Sequence, residues 1–145
     1  VVLGAGGAAR SVIEALGRAG AADVVVVNRT QARADSAAAL AGPVGRVGSV
    51  DVIGEADIVI NATSVGMDGV SSPSPGGSFA ASQTVVDLIY RPLSTPWLTA
   101  ARDVGANAVN GVGMLLHQAA IQLELWTGID APIDAMRDSV ADVIG

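Results

Sequence analysis

The 145-residue chain contains no cysteine and no lysine, and histidine occurs once. Without cysteine there are no disulfides, no thiolate chemistry and no cysteine-based zinc or iron–sulfur site. A single histidine excludes a histidine-rich metal site and argues against a Ser-His-Asp hydrolase. Without lysine, any acid–base step that needs an ammonium group must draw on residues outside this stretch. Positive charge is also scarce: eight basic residues stand against 14 acidic ones, for a net charge of −6. That balance argues against a bulk electrostatic grip on nucleic acid. No uninterrupted apolar run approaches the ~20 residues of a membrane-spanning helix. No charged stretch leading into a short apolar one resembles a signal peptide either, so no membrane partner is expected.

What is present is apolar: 50% of residues are hydrophobic and 15% charged, with a mean hydropathy of +0.50. Disorder is excluded for most of the chain, and residues 1–145 are expected to form one domain with a core of its own. The opening Val1-Val2-Leu3-Gly4 reads as the tail of a buried strand running into a glycine turn. The expectation is a piece of a longer protein.

Apolar β-branched runs then alternate with helical patterns, the signature of parallel strands covered by helices. Val12, Ile13 and Leu16 predict a helix from about Ala8 to Ala19, closed by Gly20. Asp23–Val27 is a strand apolar at every position past the first. Gln31 to about Ala41 is helical by propensity with Thr30 as N-cap, ended by Gly42-Pro43. A weak strand is expected near Arg46–Val47, a short helix at Asp51–Glu55 and a strong strand at Ala56–Ala62. Asp68–Gln83 is too long for an ordinary connection and reads as a mobile functional loop or an insertion. Further strands at Thr84–Asp87 and Ala106–Val109 flank a helix at Pro96–Val104. The last helices run from Asn110-Gly111 to about Trp126, broken by Gly128, and from Pro132 to about Val143. The sum is an α/β fold: a Rossmann-like, doubly wound parallel sheet of about six strands with helices on both faces.

Gly4-Ala5-Gly6-Gly7-Ala8-Ala9 fits G-x-G-x-x-G/A. The pattern alone is common, but here it follows a strand, opens a helix and leads to a second buried strand. Glycines let the backbone turn tightly and approach a pyrophosphate, whose charge meets the free N–H groups of the helix. A glycine turn that merely connects strand to helix is the alternative. At the end of the second strand an NAD site places an acidic residue on the ribose hydroxyls. This chain has Asn28-Arg29-Thr30 there, with Arg33 one turn on. Two guanidinium groups and a hydroxyl suit a 2′-phosphate, so NADP is preferred over NAD. Arg33 and Arg10 each lie in the first turn of a helix, against the dipole by ~0.3–1 kcal/mol apiece. A multiply charged anion between them accounts for both; two ordinary solvated arginines are the alternative.

With these motifs the chain resembles the cofactor-binding domain of shikimate dehydrogenases. Three later segments carry the same resemblance: Asn61-Ala62-Thr63-Ser64-Val65-Gly66-Met67, Asp87-Leu88-Ile89-Tyr90-Arg91-Pro92, and Asn110-Gly111-Val112-Gly113-Met114-Leu115-Leu116-His117-Gln118. It covers nearly the whole chain. It implies NADP-dependent, reversible reduction of 3-dehydroshikimate to shikimate in aromatic amino-acid biosynthesis, in the cytoplasm. It also implies an N-terminal domain, absent here, that holds substrate and carries a catalytic lysine–aspartate pair, so no catalytic residue is assigned to this chain. By the same resemblance Thr63, Ser64 and Met67 line the cofactor groove, and Leu88, Gly111 and Met114 lie by the nicotinamide ribose and ring. Tyr90 and Gln118 reach towards the substrate. An NAD-using quinate/shikimate dehydrogenase and a non-catalytic dinucleotide-binding module are the competing classes.

Residue chemistry bears on part of this. In a helix after Gly111, Met114, Gln118, Ile121 and Leu125 share one stripe. Val112, Leu115, Ala119, Leu123 and Trp126 share another, better suited to packing on the sheet. Gln118 then needs a partner in its apolar stripe, from protein, water or ligand. Tyr90 could equally be a packing aromatic, and Met114 core filler. His117, on a face with Ala120 and Glu124, reads as a solvated helix histidine. Asp87 reads as a loop anchor, and Asp57 and Asp103 as cap or surface residues. If a domain is missing, the last two helices should expose an apolar face prone to self-association.

Overall fold

Valine at four successive positions makes β2 (Val24–Val27) a strand with no polar face, and three of the four are buried. Such a strand is stable only inside a sheet covered on both sides. The computed structural model, which describes residues 1–74 and 78–144, places it there. Its companions are β1 (Val2–Leu3), β3 (Gly45–Val47), β4 (Ile58–Asn61), β5 (Thr84–Asp87) and β6 (Asn107–Val109). All pairings are parallel, in the order β3-β2-β1-β4-β5-β6. The sheet is doubly wound and six-stranded, as expected from the sequence.

Successive strand residues face opposite sides, so the core is two layers. Val2, Val24, Val26 and Ile60 pack with Ile13 of α1 (Gly7–Arg18) and Ala34 and Ala37 of α2 (Gln31–Ala38). On the other side Leu3, Val59 and Val85 pack with Trp97, Leu98 and Ala101 of α3 (Pro96–Asp103). Thr95 caps α3, its hydroxyl accepting from Leu98 N at 3.3 Å.

Several expectations need correction. α2 stops at Ala38 rather than Ala41; a 3-10 turn, Ala39–Val44, carries on through Gly42 (φ +64°) and Pro43. Proline lacks the N–H a continuing helix needs and disfavours helical geometry in the residue before it. Thr30 sits at the N-cap of α2, but its side chain makes no cap bond; its carbonyl takes the N–H groups of Arg33 and Ala34, each at 3.1 Å. β4 is shorter than Ala56–Ala62, because Ala56 closes a 3-10 turn, Val50–Glu55.

The long 68–83 segment is anchored at both ends, while residues 75–77 lie outside the described residues. Asp68 accepts from Val70 N, Ser71 N and the Ser71 hydroxyl, bonds that hold its carboxyl down at about 2. Phe79 meets Trp97 edge-on at 4.7 Å. Gln83 is buried and donates to the carbonyls of Ile53 and Ala56, both at 2.6 Å.

The largest departure is in α4 (Val112–Thr127), which ends on left-handed Gly128 and leans mainly on α5 (Ile133–Ile144). Its buried residues are Leu116 and Ala120. Ala120 therefore leaves the solvent face expected of it, although His117 and Glu124 do lie exposed. Trp126, expected to pack, is 79% exposed. Met114, Gln118, Ile121 and Leu125 form an exposed stripe.

The two-layer core sets a contrast. Leu98→Ala, at a fully buried site, should cost about 2–5 kcal/mol in chemical denaturation. Val70→Ala, at an exposed loop position, should change stability by less than about 0.5 kcal/mol.

Candidate functional site: a groove at the carboxyl edge of the sheet

Parallel strands end together, so their outgoing loops gather on one edge, and β1 beside β4 is where the winding reverses. The first loop turns at Gly4, whose φ is +112° and whose N–H donates to Val27 O at 2.8 Å. A Cβ there would lie 2.9 Å from Ala62 O, so glycine is required both by conformation and by the approach of β4. Gly6 is the N-cap of α1, without a side-chain cap and without an acidic residue in the first turn. A Cβ at Gly6 or Gly7 would meet nothing within 4 Å. The fold's own packing therefore does not demand glycine at either position. Ahead of unpaired helix N–H groups, the cradle fits a pyrophosphate.

On one flank the end of β2 presents Arg29, Thr30 and Arg33, all exposed. Asn28 braces the turn, its Nδ2 donating to Thr30 O at 3.1 Å. Arg10 bridges α1 to α2 by donating to the Ser36 hydroxyl at 3.1 Å. Among the described residues no carboxylate pairs with Arg10, Arg29 or Arg33.

On the other flank is a hollow of about 530 Å³ lined by Ala8, Thr63, Ser64, Met67, Leu88 and Tyr90, among others. Ala5, half-buried within the glycine turn, packs against the core. Gly111 lies against the end of β5: its N–H donates to Ile89 O at 3.0 Å, and a Cβ there would collide with Leu88 O. Met114 follows one turn on, partly exposed.

The structure thus gathers the glycine turn, Thr63, Ser64, Met67, Leu88 and Tyr90 around one groove, with the arginine flank beside it. Gln118 stands apart from the hollow's lining. It is exposed, donates to Leu115 O at 3.0 Å and accepts from Gln122 Nε2 at 2.8 Å. Lying outside any buried stripe, it has no need of the further partner expected for it.

One element went unremarked in the sequence. Asn61, fully buried at the end of β4, donates from Nδ2 to Asp87 Oδ1 and to Val65 O, both at 3.0 Å. Asp87 also accepts from the Thr95 hydroxyl at 2.7 Å and Ile89 N at 3.1 Å, which bears out its reading as an anchor. Burial pushes the Asp87 carboxyl above the ordinary carboxylate range, with the bonds from Thr95, Ile89 and Asn61 pulling the other way. An Asn and an Asp directly opposite on adjacent strand ends was the available signal. Exposed Asp57 and Asp103 take no part. Among the described residues no cluster of metal-ligating side chains exists, and no helix is long and apolar enough to cross a membrane.

A glycine turn at the switch point of a 3-2-1-4-5-6 parallel sheet, opening a helix, defines a doubly wound, Rossmann-type α/β domain. Residues 1–69 match the family model for shikimate/quinate 5-dehydrogenase, and residues 111–141 that for the shikimate 5′-dehydrogenase C-terminal domain. Shikimate dehydrogenase (NADP(+)) of Methanocella arvoryzae is 43% identical across 99% of this chain and 56% of its own length. Shikimate 5-dehydrogenase from Thermus thermophilus, solved with NADP(H) and shikimate, is 39% identical. It superposes with a TM-score of 0.87 over 97% of this chain and 53% of that one. Quinate dehydrogenase from Corynebacterium glutamicum, solved with NAD, reaches a TM-score of 0.90 at 28% identity, over 97% and 54%. The chain belongs to the shikimate dehydrogenase family. It spans about half the length of the curated relatives it matches.

The raised Asp87 has a measurable consequence. Folded, it holds its proton to higher pH than in the unfolded chain, so between the two values the native state binds more protons. Its contribution to stability therefore falls as pH rises through that window. Asp87→Asn is neutral throughout and lacks this slope. Urea midpoints from about pH 4 to about pH 7 should show wild type losing stability relative to the variant as pH rises; a gain with pH would contradict the assignment.

Proposed function

We propose that this chain is the NADP-binding half of a shikimate dehydrogenase. The whole protein would transfer hydride between NADPH and 3-dehydroshikimate to give shikimate, in aromatic amino-acid biosynthesis. The observation that carries the cofactor preference is the end of β2, where Arg29, Thr30 and Arg33 stand exposed beside the glycine cradle with no carboxylate among them. Arg29 and Arg33 offer charge-assisted donors to a 2′-phosphate, and Thr30 a hydroxyl that no group among the described residues takes up.

The remaining roles follow the groove. The backbone of Gly4–Ala8 receives the pyrophosphate at the helix N-terminus, and Asn28 holds the ribose-side turn. Thr63, Ser64 and Met67 form one wall. Leu88, Gly111 and Met114 form the face on which the nicotinamide rests. NADPH, when bound, supplies the hydride. Tyr90, 43% exposed on the rim, points this chain's contribution at the substrate. Gln118 joins it by swinging away from Leu115 and Gln122, a change an exposed glutamine makes at little cost. The chain has no lysine, so a proton transfer that uses an ammonium group would belong to the remaining half of the protein.

Ile121, Leu125, Trp126 and Ile129 form an exposed apolar face at the end of α4, the contact we assign to that other half. The chain alone should therefore self-associate: light scattering at rising concentration should show dimers or larger species, and a monomer throughout would remove this assignment.

The likeness to the NAD-bound quinate dehydrogenase makes an NAD-using quinate/shikimate enzyme the second reading. Parallel titrations with NADP+ and NAD+ separate the two. Arg29→Ala should weaken NADP+ by about tenfold or more, as loss of a charge-assisted bond implies, while NAD+ changes by less than about twofold. Equal losses, or a wild-type preference for NAD+, would favour the quinate-type enzyme. Binding of neither would remove the dehydrogenase reading.

A further inference from the structure

We propose that the buried Asn61–Asp87 pair is the positioning element of the groove, setting the separation of its two walls. The inference rests on the dinucleotide reading above and goes beyond it, because neither side chain faces the hollow. The two residues are register partners at the last positions of β4 and β5, the point where both chains leave the ladder. Both are fully buried.

Each end of the pair holds one wall. Asn61 Oδ1 accepts from Thr63 N at 3.1 Å and from the Thr63 hydroxyl at 2.7 Å, and its Nδ2 donates to Val65 O. The Thr63 hydroxyl in turn accepts from Val65 N at 3.1 Å, and Ser64 O accepts from Met67 N at 3.2 Å. The Thr63–Met67 wall is thus wound around one amide. Asp87 Oδ1 fixes the first residue beyond Leu88 by accepting from Ile89 N, and Oδ2 ties the same carboxylate to Thr95.

The orientation of the amide is determined. A carboxylate only accepts, so Nδ2 must face Asp87 and Oδ1 must face Thr63. All four hydrogen-bonding positions of Asn61 are then used. Two apolar residues would fill this site without burying polar groups, but they would leave the loop's backbone at Thr63 and Ile89 with no partner to aim it. The Asn61–Asp87 side-chain link ties the Thr63 wall to the Leu88 wall beside the backbone bond from Leu88 N to Asn61 O at 2.9 Å, and Thr95 serves as its brace on α3.

The test compares variants of the full-length protein. Asn61→Ala should raise the dissociation constant for NADP+ tenfold or more. It should also speed amide hydrogen exchange at Val65–Met67 and at Leu88–Tyr90 together. Thr95→Val removes the brace and the α3 cap but leaves both wall contacts, so it should lower Tm, speed exchange in the first turn of α3, and leave NADP+ affinity within twofold. Should Asn61→Ala not fold, Asp87→Ala is the second disruptive variant. Asp87→Asn is its rescue, keeping an acceptor towards Asn61 and Ile89 and turning its N–H towards Thr95, with affinity expected within threefold of wild type. Affinity that tracks Tm across all variants, or exchange that rises in only one wall with Asn61→Ala, would overturn the proposal. Wild type that binds neither NADP+ nor NAD+ would instead overturn the dinucleotide reading, and the exchange data would still decide whether the pair joins the walls.

Discussion

Strand β1 is the constraint on which the rest hangs. Only two residues long, it is hydrogen-bonded on both sides, Val2 against Val26 and Ile60, Leu3 against Val27 and Asn61. Val2 faces the α1–α2 layer and Leu3 the α3 layer, so a slip of one residue would exchange the two cores. The register also places Gly4 against Ala62, which brings the first turn and the β4 loop within contact. From this one pairing follow the position of the cradle, the line of the groove and the depth at which α1 begins.

Around that line the electrostatics are arranged by omission as much as by presence. The first turns of α1 and α2 hold no acidic residue. Most of the chain's carboxylates lie elsewhere, on exposed helix faces or in surface pairs such as Arg46–Asp23. An acidic protein thereby keeps one edge receptive to an anion. Two carboxylates lie at that edge: Asp87 is withdrawn from solvent and turned to internal use, and Asp68 is engaged by Ser71 and Val70.

Much of this could be read from residue order. The valine run at Val24–Val27, the glycine turn after Val2–Leu3 and the helix closed by Gly20 are local patterns whose physics does not depend on distant neighbours. The six strands and their parallel sense followed from them; the gathering of the glycine turn with Thr63, Met67 and Tyr90 was what the family resemblance implied. The arginines after β2 were legible because a missing carboxylate is visible in a sequence. The α4 face was not. A helix with apolar residues nearly all round offers several stripes of similar merit, and Trp126 looks like a core residue until its surroundings are known. The same uncertainty hid that Gln118 lies exposed, with Leu115 and Gln122 as its partners. The Asn61–Asp87 pair is separated by 26 residues; Asp87 was legible as an anchor, but no local pattern marks Asn61 as its partner.

The sequence by itself determined the alternation of strands and helices, the buried sheet, the cradle at Gly4–Ala9 and the sign of the charge beside it. These depend on side-chain size, hydropathy and backbone freedom counted over a few neighbouring positions. Only the tertiary structure decided which side of α4 is covered, that the ends of the 68–83 segment are pinned by Asp68 and Gln83, and that two buried polar residues join the walls of the groove. Those outcomes depend on which surfaces meet across the chain, and burial turns an ordinary Asn or Asp into a fixed hydrogen-bonding group only once a partner from a distant segment has arrived.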